Sequence, residues 1–333
     1  MSLRNGHVAS KYALSSQLKI CGNRGTLKQG REAHHHIIKH GHDADMVVGT
    51  ALMDMYAKCG SLKEALKTFD LSPPHLHDVV SWNALISAYI DHRHGFHALD
   101  IFFNMHRNDR VLPTKVSFLL ALKACGIEES IVHGRCVHDY IFRCGMTLDE
   151  VYGSSLIDMY SKCGSLVEAR MVFDDLLDRG IISWNVLLAA YANQGHGYYV
   201  CESLERMKTD GIEPNGITLL SLLTLCNHVG LMDTGQLYFV ASSRYYASLL
   251  TIDHFNCIID LLGRAGQLDN LEIFLEKMPL QPNRVSWSSV LSSCRKWKHI
   301  DLAWWAFDYA VNYSQKEAST FVSMSNICAE DYM

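Results

Sequence analysis

Apolar side chains recur at spacings of three and four along nearly the whole chain, in runs broken by glycine. The first run places Leu14, Leu18 and Cys21 on one stripe, stops at Gly22-Asn23-Arg24-Gly25, and resumes with Leu27, Gly30, Ala33 and Ile37. A spacing of three and four is the signature of an amphipathic helix, and the glycines mark where it turns. Residues 11–45 therefore predict a helix–turn–helix unit. The next run starts with Leu52, Met55 and Tyr56, pauses at Gly60, and continues with Leu62, Ala65, Leu66 and Phe69. Gly60 has no Cβ and tolerates the left-handed backbone that closes a helix. Ser61 followed by Glu64 has the spacing of a capping box, and Ser165 with Glu168 repeats it. A third stripe, Trp82, Leu85, Ile86 and Tyr89, opens another unit.

These patterns repeat. Met55-Tyr56-Ala57-Lys58-Cys59-Gly60-Ser61-Leu62 returns as Met159-Tyr160-Ser161-Lys162-Cys163-Gly164-Ser165-Leu166, an offset of 104 residues. At the same offset Cys125 answers Cys21, Gly134 answers Gly30, His138 answers His34, and Asp149 answers Asp45. The stretch Val79-Val80-Ser81-Trp82-Asn83 matches Ile181-Ile182-Ser183-Trp184-Asn185. Three unit types thus alternate, and a third, divergent round follows. The predicted boundaries are 11–45, 46–78, 79–114, 115–149, 150–180, 181–215, 216–251 and 252–283, with a further helical segment over 284–333 and a short stretch, 1–10, ahead of the array. One such hairpin cannot bury both its faces, whereas stacked copies can. The expected architecture is all-α: an α-solenoid with a continuous core and a concave surface lined by the first helix of each unit.

Composition narrows the function. Apolar residues make up 48% of the 333 and charged residues 20%, so the chain has the means to build a core. No run of about 18 apolar residues occurs, and no membrane span is expected. A formal charge of −5 argues against a protein that grips nucleic acid mainly by a basic surface. It leaves room for one that reads bases by hydrogen bonds. The eleven cysteines form no CxxC pair. Several sit at equivalent points of different units, and they read as small buried hydrophobes in a reducing compartment.

The phrases MDMYAKCGSLKEALKTFD, IDMYSKCGSLVEARMVFD, VVSWNALISAY, IISWNVLLAAY and CGNRGTLKQGREAHHHIIKHG make the chain resemble a plant pentatricopeptide repeat (PPR) protein. The class it resembles alternates long, short and standard repeats, and the likeness runs from about residue 11 to 330. The phrases IIDLLGRAGQLDNLEIFLEKMPLQPN and VSWSSVLSSC are similar to the closing repeats and first C-terminal extension motif of that class. The resemblance implies a right-handed solenoid. Leu3 to Ser10 looks like the last turn of a preceding repeat, and the tail breaks off within a second extension motif. The expectation is therefore a fragment or truncated product, with any organellar address in a part not seen here.

The resemblance also implies a function: sequence-specific binding of single-stranded organellar RNA, in mitochondrion or chloroplast, as the site-recognition factor for C-to-U editing. Two residues per repeat, the fifth and the last, read one base. A short polar side chain on a rigid helix is chemically suited to a base's Watson–Crick edge. Carried over, Thr50 with Asp78 resembles a guanine reader, and Asn185 with Asn215 a pyrimidine reader. Asn256 with Asn283 fits the pyrimidine pattern. Asn83 prefers a pyrimidine, although its unit has one extra residue and ends in Thr114. Ser154 leans to a purine, while its partner Gly180 offers no side chain. Long units pair Ser15 with Asp45, Leu119 with Asp149, and Leu220 with Thr251; leucine neither donates nor accepts, so such units act as spacers.

Editing itself requires a zinc deaminase, with an HxE and a CxxC. Neither a suitable HxE nor a CxxC is present. The chain is expected to be non-catalytic, without cofactor or metal, and monomeric, with a cytidine deaminase and other editing factors in trans. The run His34-His35-His36, with His40 and His42, is expected to be a solvated second helix rather than a metal site, because adjacent histidines on a helix point apart. Trp297, Trp304 and Trp305 are expected to pack against the last repeats or a partner rather than stack on bases. Two other functions remain open from the residues alone: a protein-binding helical-repeat scaffold, and a decayed gene product. Amides at successive fifth positions separate RNA reading from the scaffold, which needs none there.

Overall fold

The computed structural model describes residues 11–42, 45–71, 77–107, 111–245, 250–313, 322 and 324–328. Among these the chain is helical throughout, with no strand. It divides into two compact units, residues 1–176 and 177–333. The first unit holds five hairpins: α1 (Lys11–Asn23) with α2 (Leu27–Lys39), α3 (Met46–Lys58) with α4 (Leu62–Leu71), α5 (Val79–Asp91) with α6 (Gly95–Arg107), α7 (Lys115–Ile127) with α8 (Ile131–Arg143), and α9 (Glu150–Lys162) with α10 (Leu166–Asp175). The second holds four: α11 (Ile181–Asn193) with α12 (Gly197–Thr209), α13 (Gly216–Val229) with α14 (Met232–Tyr245), α15 (Ile252–Arg264) with α16 (Leu268–Lys277), and α17 (Arg284–Trp297) with α18 (Ile300–Tyr313). No described helix is long and apolar enough to cross a membrane.

Within each unit the hairpins stack as a solenoid. First helices pack on first helices: α1 on α3, α3 on α5, α5 on α7, α7 on α9, and separately α11 on α13, α13 on α15, α15 on α17. Second helices lean back on this row, as α4 does on α3 and α5. First helices are the more deeply buried of each pair, and their sequences show it. Helix α11 buries Ser183, Trp184, Asn185, Leu187, Leu188, Ala190, Tyr191 and Ala192. Its partner α12 buries only Val200, Ser203 and Met207 and keeps the narrow apolar stripe of a surface helix. The stripes read from the sequence, Leu52-Met55-Tyr56 and Trp82-Leu85-Ile86-Tyr89, all lie in the core.

Glycine sets two features of the stacking. Gly60 and Gly164 adopt φ of +76° and +77° at the bends between their helices, as the sequence suggested. Gly30 and Gly134 lie on second helices, where a Cβ would collide with the sulfur of Met55 or Met159 on the next hairpin. Their bare backbone lets α2 and α8 approach α3 and α9 closely.

Three local expectations are corrected. The capping box expected at Ser61–Glu64 and Ser165–Glu168 does not form. The Ser61 hydroxyl donates to the Glu64 carboxylate, and Ser165 makes no side-chain cap bond. Each glutamate is claimed by an arginine of the preceding hairpin, Arg31 for Glu64 and Arg135 for Glu168. Hydrogen bonds from Arg31, then from Ser61, hold the Glu64 carboxyl below its ordinary range. Second, burial does not extend to every cysteine: Cys21, Cys125 and Cys226, at equivalent points of their units, are buried as expected, and others are not. Cys294 is buried as well, whereas Cys136 and Cys201 on second helices and Cys144 just past the end of α8 are exposed. Burial pushes the thiols of Cys125 and Cys294 up to about 12. Third, His34 is not simply solvated. Its Nδ1 lies 2.8 Å from the Tyr56 hydroxyl, and His138 repeats this with Tyr160 at 2.9 Å. Burial lowers the pKa of His138.

Candidate nucleic-acid interface

The paired residues sit where two hairpins meet. The fifth residue of a hairpin lies one turn into its first helix. The last residue is the N-cap of the first helix that follows. Asn215 caps α13, accepting on Oδ1 from the backbone N–H of Ile217 at 3.0 Å and Thr218 at 3.2 Å. A helix start leaves such N–H groups without intrahelical partners, and a short polar side chain supplies one. Across the groove Asn185 donates its Nδ2 to the same Asn215 Oδ1 at 3.2 Å. The two residues singled out by resemblance are thus bonded to each other, 30 positions apart in sequence.

The second such corner has the same design. Asn283 caps α17, accepting from the backbone N–H of Ser286 at 3.0 Å, and Asn256 donates Nδ2 to Asn283 Oδ1 at 3.5 Å. In both corners a residue that sequence reasoning missed completes the arrangement. Thr218 donates its hydroxyl to Asn185 Oδ1 at 2.7 Å, and Ser286 donates to Asn256 Oδ1 at 2.6 Å. Each hydroxyl also accepts from the backbone N–H of its own cap residue, at 3.1 Å from Asn215 and 3.0 Å from Asn283. That is a capping box, and the signal was present: an Asn cap followed three residues later by Thr or Ser.

The other expected pairs fare differently. Asn83 is half-buried, and its Oδ1 is enclosed without a hydrogen-bond partner among the described residues. Thr114 caps α7 and pairs its hydroxyl with Ser117 at 3.3 Å. Ser154 donates to the carbonyl of Glu150, one turn back on α9, and Gly180 caps α11 without a side chain. Thr50 is half-buried on α3, while Asp78 caps α5 through the Ser81 N–H. In the long units Ser15 is buried, and Asp45 caps α3 and pairs with Lys11 at 3.5 Å. Its counterpart Asp149 is paired with Lys115, which holds its carboxyl below the usual range.

One expectation needs revision. The expectation is that polar groups at fifth positions face the concave surface lined by the first helices. Asn185 and Asn256 are instead 5% and 8% exposed, because the next first helix closes over them with its third residue. An amide has two N–H donors and two acceptor lone pairs. One of each is committed to the neighbouring hairpin, and one of each remains. Asn215 is exposed, and its own Nδ2 makes no hydrogen bond among the described residues.

Among the described residues no three His, Cys, Asp or Glu side chains come together as a metal site. Trp297 donates its indole N–H to the carbonyl of Gly263 at 2.8 Å, and Trp305 packs edge-on against Trp287. Trp304 is 53% exposed.

Comparison with known proteins gives consistent matches. Residues 155–228 match the pentatricopeptide repeat domain, and residues 50–71 and 80–109 match the PPR repeat. A putative pentatricopeptide repeat-containing protein of Arabidopsis thaliana is 35% identical over 96% of this chain and 38% of its own length. A mitochondrial pentatricopeptide repeat-containing protein of the same plant is 33% identical over 94% of this chain and 56% of itself. The chloroplastic CRR2 of that plant is 33% identical over 99% and 51%. The chain therefore spans about half the length of the curated relatives it matches. In fold it is similar to a crystal structure of the pentatricopeptide repeat protein PPR10 in complex with an 18-nt psaJ RNA element. That match has a TM-score of 0.67 at 17% identity and covers 96% of this chain and 48% of the other.

Proposed function

From the premise that this chain belongs to the pentatricopeptide repeat family, we propose that it binds single-stranded RNA by sequence within organellar RNA processing. The observation that carries the reading is the pair of corners Asn185–Asn215 and Asn256–Asn283, where two side chains from consecutive hairpins are bonded into one polar unit. Asn185 and Asn256 each retain one donor and one acceptor, which suits the Watson–Crick edge of cytosine or uracil. The solved neighbour PPR10 is in complex with RNA, and curated relatives are named mitochondrial or chloroplastic. In this reading Asn185 with Asn215, and Asn256 with Asn283, take pyrimidines, and Thr50 with Asp78 takes guanine. Asn83 with Thr114 takes a pyrimidine with less discrimination, and Ser154 with Gly180 contributes weakly. Ser15 with Asp45 and the other long units space the readers: Asp45 and Asp149 are held by Lys11 and Lys115, and Leu119 and Leu220 carry no polar group.

The finer reading is that the RNA site so chosen undergoes C-to-U editing by a cytidine deaminase supplied in trans. It is supported by the likeness of residues 252–294 to closing repeats and an extension motif. The test starts with the RNA that the intact recombinant chain selects from a randomised single-stranded pool. The expected motif holds pyrimidines two positions apart for Asn185 and Asn256. Asn185→Thr should move the preference at its base from pyrimidine towards purine, weakening the original target about 3- to 10-fold. A pool that yields no motif, or an Asn185→Thr chain with an unchanged motif, would overturn the reading.

A further inference from the structure

We propose that Thr218 and Ser286 are specificity-positioning residues: the third residue of one hairpin sets the orientation of the base-reading amide in the hairpin before it. This rests on the RNA-reading function above and assigns a residue to it that neither the fifth nor the last position contains.

The argument follows hydrogen-bond direction. The start of α13 presents backbone N–H groups at Ile217 and Thr218, and these can only donate. Asn215 must therefore turn its carbonyl oxygen to them. That same oxygen faces Asn185 at 3.2 Å, so Asn185 must turn its NH2 towards it, because two oxygens would repel. The remaining end of the Asn185 amide is then an acceptor. The Thr218 hydroxyl meets it at 2.7 Å. Its own oxygen already accepts from the Asn215 N–H at 3.1 Å, which leaves its hydrogen to donate. The polarity of a helix start is thereby transmitted, through two side chains, to the amide of the previous hairpin. An amide held in one orientation presents its spare donor and acceptor in a fixed order. An amide free to flip presents both orders and tells bases apart less well.

The same four-part relay recurs independently at α17. Backbone N–H of Ser286 meets Asn283 Oδ1 at 3.0 Å, Asn283 faces Asn256 at 3.5 Å, and the Ser286 hydroxyl meets Asn256 Oδ1 at 2.6 Å. Where the relay is broken, the amide loses its partner. Ser117 occupies the equivalent place for Asn83 and keeps the same two contacts to its own cap, 3.0 Å from the Thr114 N–H and 3.3 Å from its Oγ1, as Thr218 and Ser286 do to theirs, but among the described residues it makes no hydrogen bond to Asn83. Asn83 Oδ1 is left enclosed without a donor. Thr218 and Ser286 are wholly buried, so they act through the amides and not on RNA directly.

The experiment measures a ratio. The RNA selected by the intact chain is synthesised with each of the four bases at the positions read by Asn185 and by Asn256, and binding is measured for each. Thr218→Val keeps the shape and removes the hydroxyl. It should reduce pyrimidine-over-purine discrimination at the Asn185 base roughly 3- to 10-fold, the worth of one hydrogen bond, and leave the ratio at the Asn256 base alone. Thr218→Ser should restore it. Ser286→Ala should do the converse, at the Asn256 base only, with Ser286→Thr restoring. A general loss of folding would lower all ratios together, so the position-specific pattern separates positioning from mere support. If Thr218→Val fails to fold, the Ser286→Ala and Ser286→Thr pair decides the question. Unchanged ratios in Thr218→Val and Ser286→Ala, with Asn185→Thr still changing its base, would overturn this proposal and spare the function. An Asn185→Thr chain with no altered preference would overturn the function itself.

Discussion

The corners at Asn83 and Asn185 begin from nearly the same sequence and end differently. Both asparagines follow an apolar pair, a serine and a tryptophan on the first helix of their hairpin. Both tryptophans are in the core, Trp82 at 6% exposure and Trp184 at 0%. At Asn185 the amide is tied at both ends, to Asn215 and to Thr218. At Asn83 the amide oxygen is enclosed and has no hydrogen-bond partner among the described residues. The difference lies at the far end of the hairpin, where Thr114 stands in place of Asn215. A threonine hydroxyl is one bond shorter than an asparagine carbonyl. Thr114 meets the Ser117 hydroxyl on α7, and among the described residues nothing bridges back to Asn83 on α5. The lesson is that a repeat's reading group is finished by its neighbour.

The comparison can be broken first at what the two corners share. Trp184→Ala and Trp82→Ala should each cost about 3–5 kcal/mol, since each empties a large core site. Denaturant titration followed by circular dichroism would check this. Markedly unequal losses would mean the two first helices are not packed alike. The next largest effect should separate the corners. Asn215→Ala removes a helix cap and strands the Asn185 amide, for a loss of about 2–4 kcal/mol. Thr114→Ala has no buried amide to strand and should cost only about 0.5–2 kcal/mol. Equal losses in the same titration would contradict the bonding described.

A gain should come from repairing the weaker corner. Thr114→Asn gives the Asn83 NH2 an acceptor and turns its amide oxygen towards the Ser117 hydroxyl, and should stabilise by about 0.5–1.5 kcal/mol. It should also sharpen pyrimidine preference at the Asn83 base in the selected RNA. A loss of stability would show that the extra residue in this hairpin holds the cap too far away.

The smallest effect concerns pH and the junctions of long with short hairpins. Burial lowers the pKa of His138 from an ordinary 6.5, so the unfolded chain binds this proton more readily than the folded one. Stability must therefore fall as pH drops below about 6.5. His138→Gln keeps a polar partner for Tyr160 and removes the titration. Melting temperatures at pH 7.5 and 5.5 should differ less in this variant than in the parent chain. An unchanged difference would place the acid sensitivity elsewhere, for example at the carboxyls of Glu64 and Asp149, each held below its ordinary range by its hydrogen bonds, from Arg31 and Lys115 respectively.

Much of this molecule was legible in one dimension. Helix periodicity, the glycine bends at Gly60 and Gly164, and the repeat spacing are local properties of the chain, set by side-chain size and backbone freedom within a few residues. They were enough to predict an all-α stack of hairpins. Resemblance supplied the fifth and last positions, but not what holds them. Tertiary structure alone decided that Glu64 serves Arg31 rather than a helix cap, that His34 meets Tyr56, and that Cys136, Cys144 and Cys201 face outward. It also decided that the Asn185 amide is pinned and the Asn83 amide is not. A hydrogen bond's direction here depends on three groups from two hairpins about 30 residues apart, and no pattern within either hairpin contains that information.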